Sequence, residues 1–206
     1  MALVVKADLE GLAMAADTVA RGGIICYPTD TVYGLGCDPF NESAVAKAIA
    51  AKGKRTKAMP VLVNGIEDAE RLVSFSRTAK KLAGVYWPGP LTIVLPAHER
   101  VPSILAPQGT LGVRSPKHPI CQQLLGLCSG CLVGTSANIT GKPSAVSASE
   151  ILDQLADRVD MILDGGRSPT GVASTVVDLT RDHLRILRQG PISKADIFEA
   201  LRQRPR

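Results

Sequence analysis

The sequence is poor in aromatic residues, with three Phe, one Trp and three Tyr among 206 residues. Proteins that bind single-stranded nucleic acids usually stack bases on aromatic side chains, so sequence-specific binding of that kind is not expected. Charged residues interrupt every hydrophobic stretch well before the roughly 18 residues of a membrane span. The amino terminus has no basic stretch followed by an apolar one, so we predict no secretion signal, no membrane contact and a cytoplasmic location.

The chain also lacks a cysteine pattern typical of secreted proteins. Its five cysteines are odd in number and scattered, which argues against a disulfide framework. Cys128 and Cys131 have the CxxC spacing of zinc and redox sites, but no second pair or nearby His completes a set of four ligands. Packing is the favoured interpretation of these thiols, and a protein-held metal is not expected.

Three common glycine motifs are missing as well. The chain has no GxxxxGK[ST] phosphate loop. The segment Gly34–Gly36 lacks the third glycine of a dinucleotide fingerprint, and Gly134–Asn138 lacks the closing glycine of a nucleophile elbow. These absences argue against P-loop enzymes, Rossmann dehydrogenases and serine hydrolases.

The charge is moderately basic, with 24 Lys and Arg against 19 Asp and Glu, a net charge of +5. The basic residues are spread along the chain rather than collected in one tract, so composition supports a small anionic ligand as well as it supports RNA. With 45% hydrophobic residues and no linker or repeat, we expect a single domain over residues 1–206 with a loose tail at 203–206.

Helical and strand patterns interleave along the whole chain. Asp8, Asn41 and Ser76 are placed to cap helices, the last one running over 77–86. Apolar segments between helices predict strands at 3–6, 23–27, 60–63, 91–95, 111–113, 132–134, 161–163, 173–179 and 184–187, and further helices are expected near 67–73, 119–125, 149–155 and 194–202. The interleaving predicts an α/β or α+β fold, with a sheet covered by helices.

Polar clusters stand where these strands should end. Each one alone is explained as well by a turn, a helix cap or a solvated helix end. Together they combine several cations with several hydroxyl and amide donors, which suits a site that positions a polyphosphate beside a polar small molecule. The clusters are at 28–31, 52–57, 114–116, 136–138 and 174–175, followed by Arg188.

Seven ordered segments, spanning nearly the whole chain, resemble the YrdC family of L-threonylcarbamoyladenylate synthases. They are Tyr27–Gly36 (YPTDTVYGLG), Ala51–Gly53 (AKG), Trp87–Thr92 (WPGPLT), Gly112–Pro119 (GVRSPKHP), Thr135–Gly141 (TSANITG), Ala173–Asp178 (ASTVVD) and Ile186–Gly190 (ILRQG). Seven motifs in order are far harder to obtain by chance than one.

The resemblance implies an enzyme that joins L-threonine, bicarbonate or CO2 and ATP into threonylcarbamoyl-AMP with release of pyrophosphate. It implies a single-domain fold with a largely mixed or antiparallel sheet and an open basic cavity, Mg2+ that arrives with ATP, and weak contact with tRNA or double-stranded RNA. Separate tRNA threonylcarbamoyltransferase proteins would then modify adenosine 37 of the tRNA, since the sequence resembles the short form of the family.

The resemblance also implies roles for matching residues. Threonine would be bound by Thr31, Asn64, Arg114, Ser136 and Ser174. ATP would be bound by Lys52, Arg55, Thr110, Asn138 and Arg188. Lys52 would stabilise charge during catalysis, together with Lys54 or Arg55. The choice between these two is open, because Lys54 stands where the family has an arginine and Arg55 follows it.

Two other functions stay open at this point. A concave basic face could hold double-stranded RNA without catalysis. A carbamoyl-transfer domain is the second alternative, although the other regions that accompany such domains in hydrogenase-maturation enzymes have no counterpart in this sequence.

Overall fold

The computed structural model describes residues 1–53, 58–181 and 183–203. Strands and helices alternate through these ranges. The strands are β1 (Leu3–Lys6), β2 (Ile25–Tyr27), β3 (Gly34–Gly36), β4 (Val61–Val63), β5 (Leu91–Pro96), β6 (Thr110–Arg114), β7 (Cys131–Val133), β8 (Thr135–Ser136), β9 (Met161–Asp164), β10 (Thr175–Asp178) and β11 (Arg185–Arg188). The helices are α1 (Leu9–Ala20), α2 (Glu42–Lys52), α3 (Ile66–Glu70), α4 (Arg77–Tyr86), α5 (Pro119–Leu127), α6 (Ala148–Leu155) and α7 (Lys194–Arg202).

Side-chain caps begin the helices where the sequence predicts them. The carboxylate of Asp8 accepts a hydrogen bond from the Gly11 amide at 3.0 Å, and Asn41 and Ser76 cap α2 and α4 in the same way. Each cap satisfies a backbone N–H that the helix itself leaves unpaired, which is worth about 1 kcal/mol. The cap predictions are therefore confirmed.

The strands form two mixed sheets. One has the order β1-β9-β2-β3-β8 and the other the order β11-β10-β5-β6-β4-β7. Both contain parallel and antiparallel neighbours; for example, β5 pairs with β10 in parallel and with β6 in antiparallel orientation. The prediction of an α/β fold with a mixed sheet and flanking helices is confirmed, and the structure adds the division of the strands into two sheets.

The core holds the sheets and helices together. In β5 the alternate residues Leu91, Ile93 and Leu95 are fully buried, and burial of such a side chain contributes about 1.5–3 kcal/mol. A second cluster joins α1 and α5 to β2 and β9. Within the described residues, no helix is long and apolar enough to cross a membrane.

Two strands differ from the sequence prediction. β3 consists of Gly34, Leu35 and Gly36, and β8 of Thr135 and Ser136. We predicted no strand over either segment, and glycine is depleted in strands. Antiparallel pairing of β3 with β2 and with β8 overrides that preference.

Candidate active site

A cavity of about 770 Å³ lies among residues contributed by both sheets. β3 and β8 of the first sheet contribute to its wall, as do β4, β5, β6, β10 and β11 of the second. The side chains with polar groups that line it come from distant parts of the sequence. They are Thr29, Thr31, Tyr33, Thr92, Gln108, Thr110, Arg114, Thr135, Ser136, Thr140, Ser174 and Arg188.

The alternation of side chains along strands brings several of these residues to one face. Thr110, Gly112 and Arg114 are two residues apart along β6, and all three line the cavity. Between them, Leu111 and Val113 are fully buried in the core. Successive side chains of a strand point to opposite faces, so one face of β6 forms cavity wall and the other forms core.

Arg114 is a buried cation at the cavity wall, 4% exposed. Its guanidinium donates to the hydroxyl oxygens of Thr31 at 3.2 Å and Thr29 at 3.4 Å. Its Nη1 also lies 3.4 Å from the carboxylate of Asp30. The segment after β2 therefore surrounds the guanidinium with two hydroxyls and one negative charge.

A second guanidinium, that of Arg188, reaches the cavity from β11. Its Nε donates to the Ser174 carbonyl oxygen at 2.9 Å and its Nη2 to the Ser174 hydroxyl at 3.1 Å. That hydroxyl also shares a hydrogen bond of 2.8 Å with the hydroxyl of Thr92. The strands predicted at 173–179 and 184–187 are confirmed as β10 and β11, which pair antiparallel.

The two arginines repel each other. Burial lowers the pKa of Arg188, and the positive charge of Arg114 lowers it further. A wall that holds two like charges favours a ligand that brings negative charge to neutralise them. Anions such as carboxylates and phosphates meet this requirement, and guanidinium groups pair with both through parallel hydrogen bonds.

Lys52 ends α2 and is buried, at 2% exposure. Its ammonium donates to the carbonyl oxygens of Ser136 and Asn138, the latter at 2.9 Å, and lies 3.5 Å from the Asn138 side-chain oxygen. It is not among the residues that line the cavity. In this structure its charge supports the Ser136–Asn138 segment from behind.

The polar groups of Ser136 and Asn138 hold each other in place. The Ser136 hydroxyl donates to the Asn138 side-chain oxygen at 2.6 Å, and the Asn138 amide donates to the carbonyl oxygens of Ile139 at 2.8 Å and Lys142 at 2.9 Å. Ser136 lines the cavity, whereas Asn138 is buried beside it.

The predicted site residues fall into four groups. Lys52 and Asn138 are buried and do not line the cavity. Asn64 lies away from the cavity on the exposed surface after β4. Lys54 and Arg55 lie outside the described residues. Six of the predicted residues line the cavity together: Thr31, Thr110, Arg114, Ser136, Ser174 and Arg188.

The sequence prediction did not include several residues that contribute to the site. Thr29 and Asp30 contact Arg114, and Thr92 contacts Ser174. All three lie inside the motifs Tyr27–Gly36 and Trp87–Thr92, so the motifs could have indicated them. We interpreted these positions as parts of a turn or a strand instead. Gln108 lines the cavity from a loop without any sequence pattern.

The cysteines do not contribute a reactive site. Burial raises the pKa of Cys128 to about 12 and that of Cys131 to about 11, which disfavours the thiolates that bind zinc or act as nucleophiles. Across residues 1–53, 58–181 and 183–203, no three His, Cys, Asp or Glu side chains are grouped to hold a metal ion. Packing is thus the better interpretation of the CxxC pair.

The Sua5/YciO/YrdC family model, described as "Telomere recombination", matches residues 17–190. The chain belongs to this family. The resemblance found in the sequence is therefore confirmed. The family match extends over the segments that supply both cavity arginines.

Relatives with described activities are similar over most of the chain. Threonylcarbamoyl-AMP synthase of Pyrococcus abyssi is 37% identical over 194 residues, which cover 92% of this chain and 57% of that protein. Threonylcarbamoyl-AMP synthase of Vibrio cholerae is 35% identical over 187 residues, which cover 88% of this chain and 98% of that protein. The chain thus spans somewhat more than half of the first relative and nearly all of the second.

The fold also matches a solved structure. The crystal structure of P. abyssi Sua5 complexed with L-threonine has a TM-score of 0.91 and 34% sequence identity, and the match covers 98% of this chain and 61% of that one.

Proposed function

We propose that this chain is a threonylcarbamoyl-AMP synthase, which joins L-threonine, bicarbonate or CO2 and ATP and releases pyrophosphate. The observation that carries the proposal is the convergence of two guanidinium groups, from Arg114 and Arg188, on one hydroxyl-lined cavity. The names of the relatives from two organisms support it. The structure of the P. abyssi relative with L-threonine supports the choice of amino acid.

Arg114 binds the carboxylate of threonine in this proposal. A guanidinium and a carboxylate form two parallel hydrogen bonds, which fix the orientation of the amino acid as well as its position. The hydroxyls of Thr31 and Thr29 hold the guanidinium from the side. Ser136 and Ser174, which also line the cavity, supply further donors and acceptors for threonine.

Arg188 faces the phosphates of ATP, with Thr110 on the same wall. The neutral threonine amine adds to CO2 and loses a proton, or condenses with bicarbonate and releases water. The resulting carbamate oxygen attacks the α-phosphorus of ATP. Pyrophosphate leaves with the electron pair of the broken bond between the α-phosphorus and the bridging oxygen. Because the carbamate attacks ATP directly, no covalent bond to the protein forms. The protein aligns the attack and stabilises the developing charge, and loss of one such contact costs about 2–4 kcal/mol of barrier.

Lys52, together with Lys54 or Arg55, completes the phosphate side in this proposal, and Asn138 is a further contact for ATP. Mg2+ enters as part of the MgATP substrate, because the metal prefers phosphate oxygens and retains water. The described side chains group no ligand set of their own, which agrees with a metal carried by the nucleotide.

The product is consumed, in this proposal, by separate tRNA threonylcarbamoyltransferase proteins in the cytoplasm. Threonylcarbamoyl-AMP is a mixed anhydride and hydrolyses readily, so prompt transfer to tRNA is needed. Weak contact of the basic surface with double-stranded RNA would bring the enzyme close to that acceptor.

The test is pyrophosphate release from ATP by the purified protein. Release that requires both L-threonine and bicarbonate is the expected result. RNA binding without turnover would overturn the proposal in favour of a binding module. Turnover driven by carbamoyl phosphate instead of threonine and bicarbonate would overturn it in favour of carbamoyl transfer.

A further inference from the structure

The two cavity arginines differ in their electrostatic partners. Arg114 has a carboxylate, Asp30, at 3.4 Å, and the two side chains are only 5% and 11% exposed. Arg188 donates to the neutral oxygens of Ser174. Within the described residues, Arg188 forms no ion pair. Arg114 is therefore a cation with a neighbouring negative charge, whereas Arg188 has none among the described residues.

Asp30 acts on the cavity by its charge. It does not line the cavity, so a ligand meets Arg114 and not Asp30 itself. Its buried Oδ1 accepts no hydrogen bond from any residue that the structure describes. The attraction to Arg114 is thus a charge–charge interaction in a buried position, where screening by water and salt is weak.

Burial disfavours the charged forms of two other titratable groups near Asp30. Burial lowers the pKa of His118, although the charge of Asp30 opposes this effect. Burial raises the pKa of the Cys121 thiol. Among the described residues, Arg114 is therefore the positive charge that balances Asp30.

We propose that Asp30 is a positioning residue that reserves the Arg114 guanidinium for a monocarboxylate and disfavours binding of polyphosphates to it. This inference rests on the proposed function. Zwitterionic threonine brings one carboxylate and one ammonium, so Asp30 repels it little. Pyrophosphate or the triphosphate of ATP brings several negative charges, and Coulomb repulsion by Asp30 grows with each of them. Polyphosphates are thereby directed to Arg188.

The test is calorimetric titration of inorganic pyrophosphate into the full chain, with and without saturating L-threonine, at fixed ionic strength. In the wild type, threonine should leave the pyrophosphate Kd within about twofold. Asp30→Asn keeps the size and removes the charge. It should lower that Kd about tenfold, and threonine should then raise it about fivefold or more, because both ligands compete for Arg114.

Two matched variants separate charge from structure. Asp30→Glu retains the charge and should behave as the wild type. Asp17→Asn removes a carboxylate from an exposed pair with Arg21. It should leave the pyrophosphate Kd unchanged, both with and without L-threonine. Competition in the wild type, or an Asp30→Asn variant without competition, overturns the proposal. An equal loss of threonine and pyrophosphate binding in Asp30→Asn also overturns it, because it shows a structural role.

Asp30→Ser is a second uncharged variant, and melting temperatures accompany every titration. Failure of both uncharged variants to fold, while Asp30→Glu folds, would overturn the proposal by showing that the charge serves folding. The titrations need no turnover. Absence of pyrophosphate release in the wild type therefore refutes the proposed function. The competition between threonine and pyrophosphate tests the role of Asp30 independently of that result.

Discussion

Replacement of Arg114 by alanine perturbs ligand binding and folding through different contacts. In the cavity, the variant loses the parallel hydrogen bonds to the threonine carboxylate. Hydrogen bonds to charged groups contribute about 1.5–3 kcal/mol each. We expect a net loss of about 2–3 kcal/mol, which is a rise of roughly 30- to 150-fold in KM for threonine. KM for ATP should change much less, because the proposed phosphate contact of Arg188 is retained in this variant.

The folding effect follows from the burial of Asp30, which is 11% exposed at the side chain. Removal of Arg114 leaves this carboxylate without its cation, and breaking a buried pair in this way costs about 3–5 kcal/mol. Because whole domains are stable by only about 5–15 kcal/mol, the variant should unfold at clearly lower urea concentration. The double variant Arg114→Ala/Asp30→Asn should recover part of that loss without recovering threonine affinity.

Steady-state kinetics with each substrate varied in turn, together with urea unfolding of the same preparations, measures both effects. Arg114→Lys is the matched control, since it keeps the charge and loses the planar fork. Its stability should exceed that of Arg114→Ala, and its KM for threonine should be intermediate. An equal rise in KM for threonine and ATP would refute the carboxylate clamp, and additive stability losses in the double variant would refute the coupling to Asp30.

Other substitutions test the remaining parts of the structure. Lys52→Ala should raise KM for ATP more than KM for threonine, and unchanged ATP kinetics would remove Lys52 from the phosphate side. Gly36→Ala should lower the free energy of unfolding by about 1–3 kcal/mol through overpacking, because the added Cβ would lie 2.4 Å from the Val133 carbonyl oxygen; its melting temperature should fall accordingly. Gly84→Ala, in an open helical position, should raise the free energy of unfolding by up to about 1 kcal/mol. Burial raises the pKa of Tyr33 to about 12, so the folded state favours the protonated phenol. The free energy of unfolding should therefore fall as pH rises from about 10 towards 12. Urea unfolding of Tyr33→Phe over the same pH range should show a smaller fall.

Local interactions explain why the helices could be predicted well. The N-caps at Asp8, Asn41 and Ser76 and the periodicity that follows them are short-range features, readable from a few neighbouring residues. α4 and α7 have the predicted bounds. α3, predicted near 67–73, is shorter at Ile66–Glu70, and Val73 instead forms a bridge to Ala97.

The cavity residues could be found by motif resemblance and not by periodicity alone. Thr31 and Arg114 are 83 positions apart, and no local rule brings them together. The hydrogen-bond partners of the Lys52 ammonium could not be predicted for a different reason. The resemblance implies a phosphate contact, which stays a prediction; the structure adds that the ammonium donates to the carbonyl oxygens of Ser136 and Asn138. That choice depends on tertiary packing that the sequence pattern does not contain.

The two strands that propensity failed to predict, β3 and β8, are also the ones that the first sheet contributes to the cavity wall. Gly34 and Gly36 are needed because a Cβ at either position would press on the ring of Tyr27, at 3.0 Å and 2.6 Å. Glycine there weakens the strand, and the pairing with β2 and β8 compensates for it. The low strand preference of glycine is thus overridden where β3, which contributes to the cavity wall, must pass close to the Tyr27 ring. A prediction from local sequence preference is expected to fail at such positions.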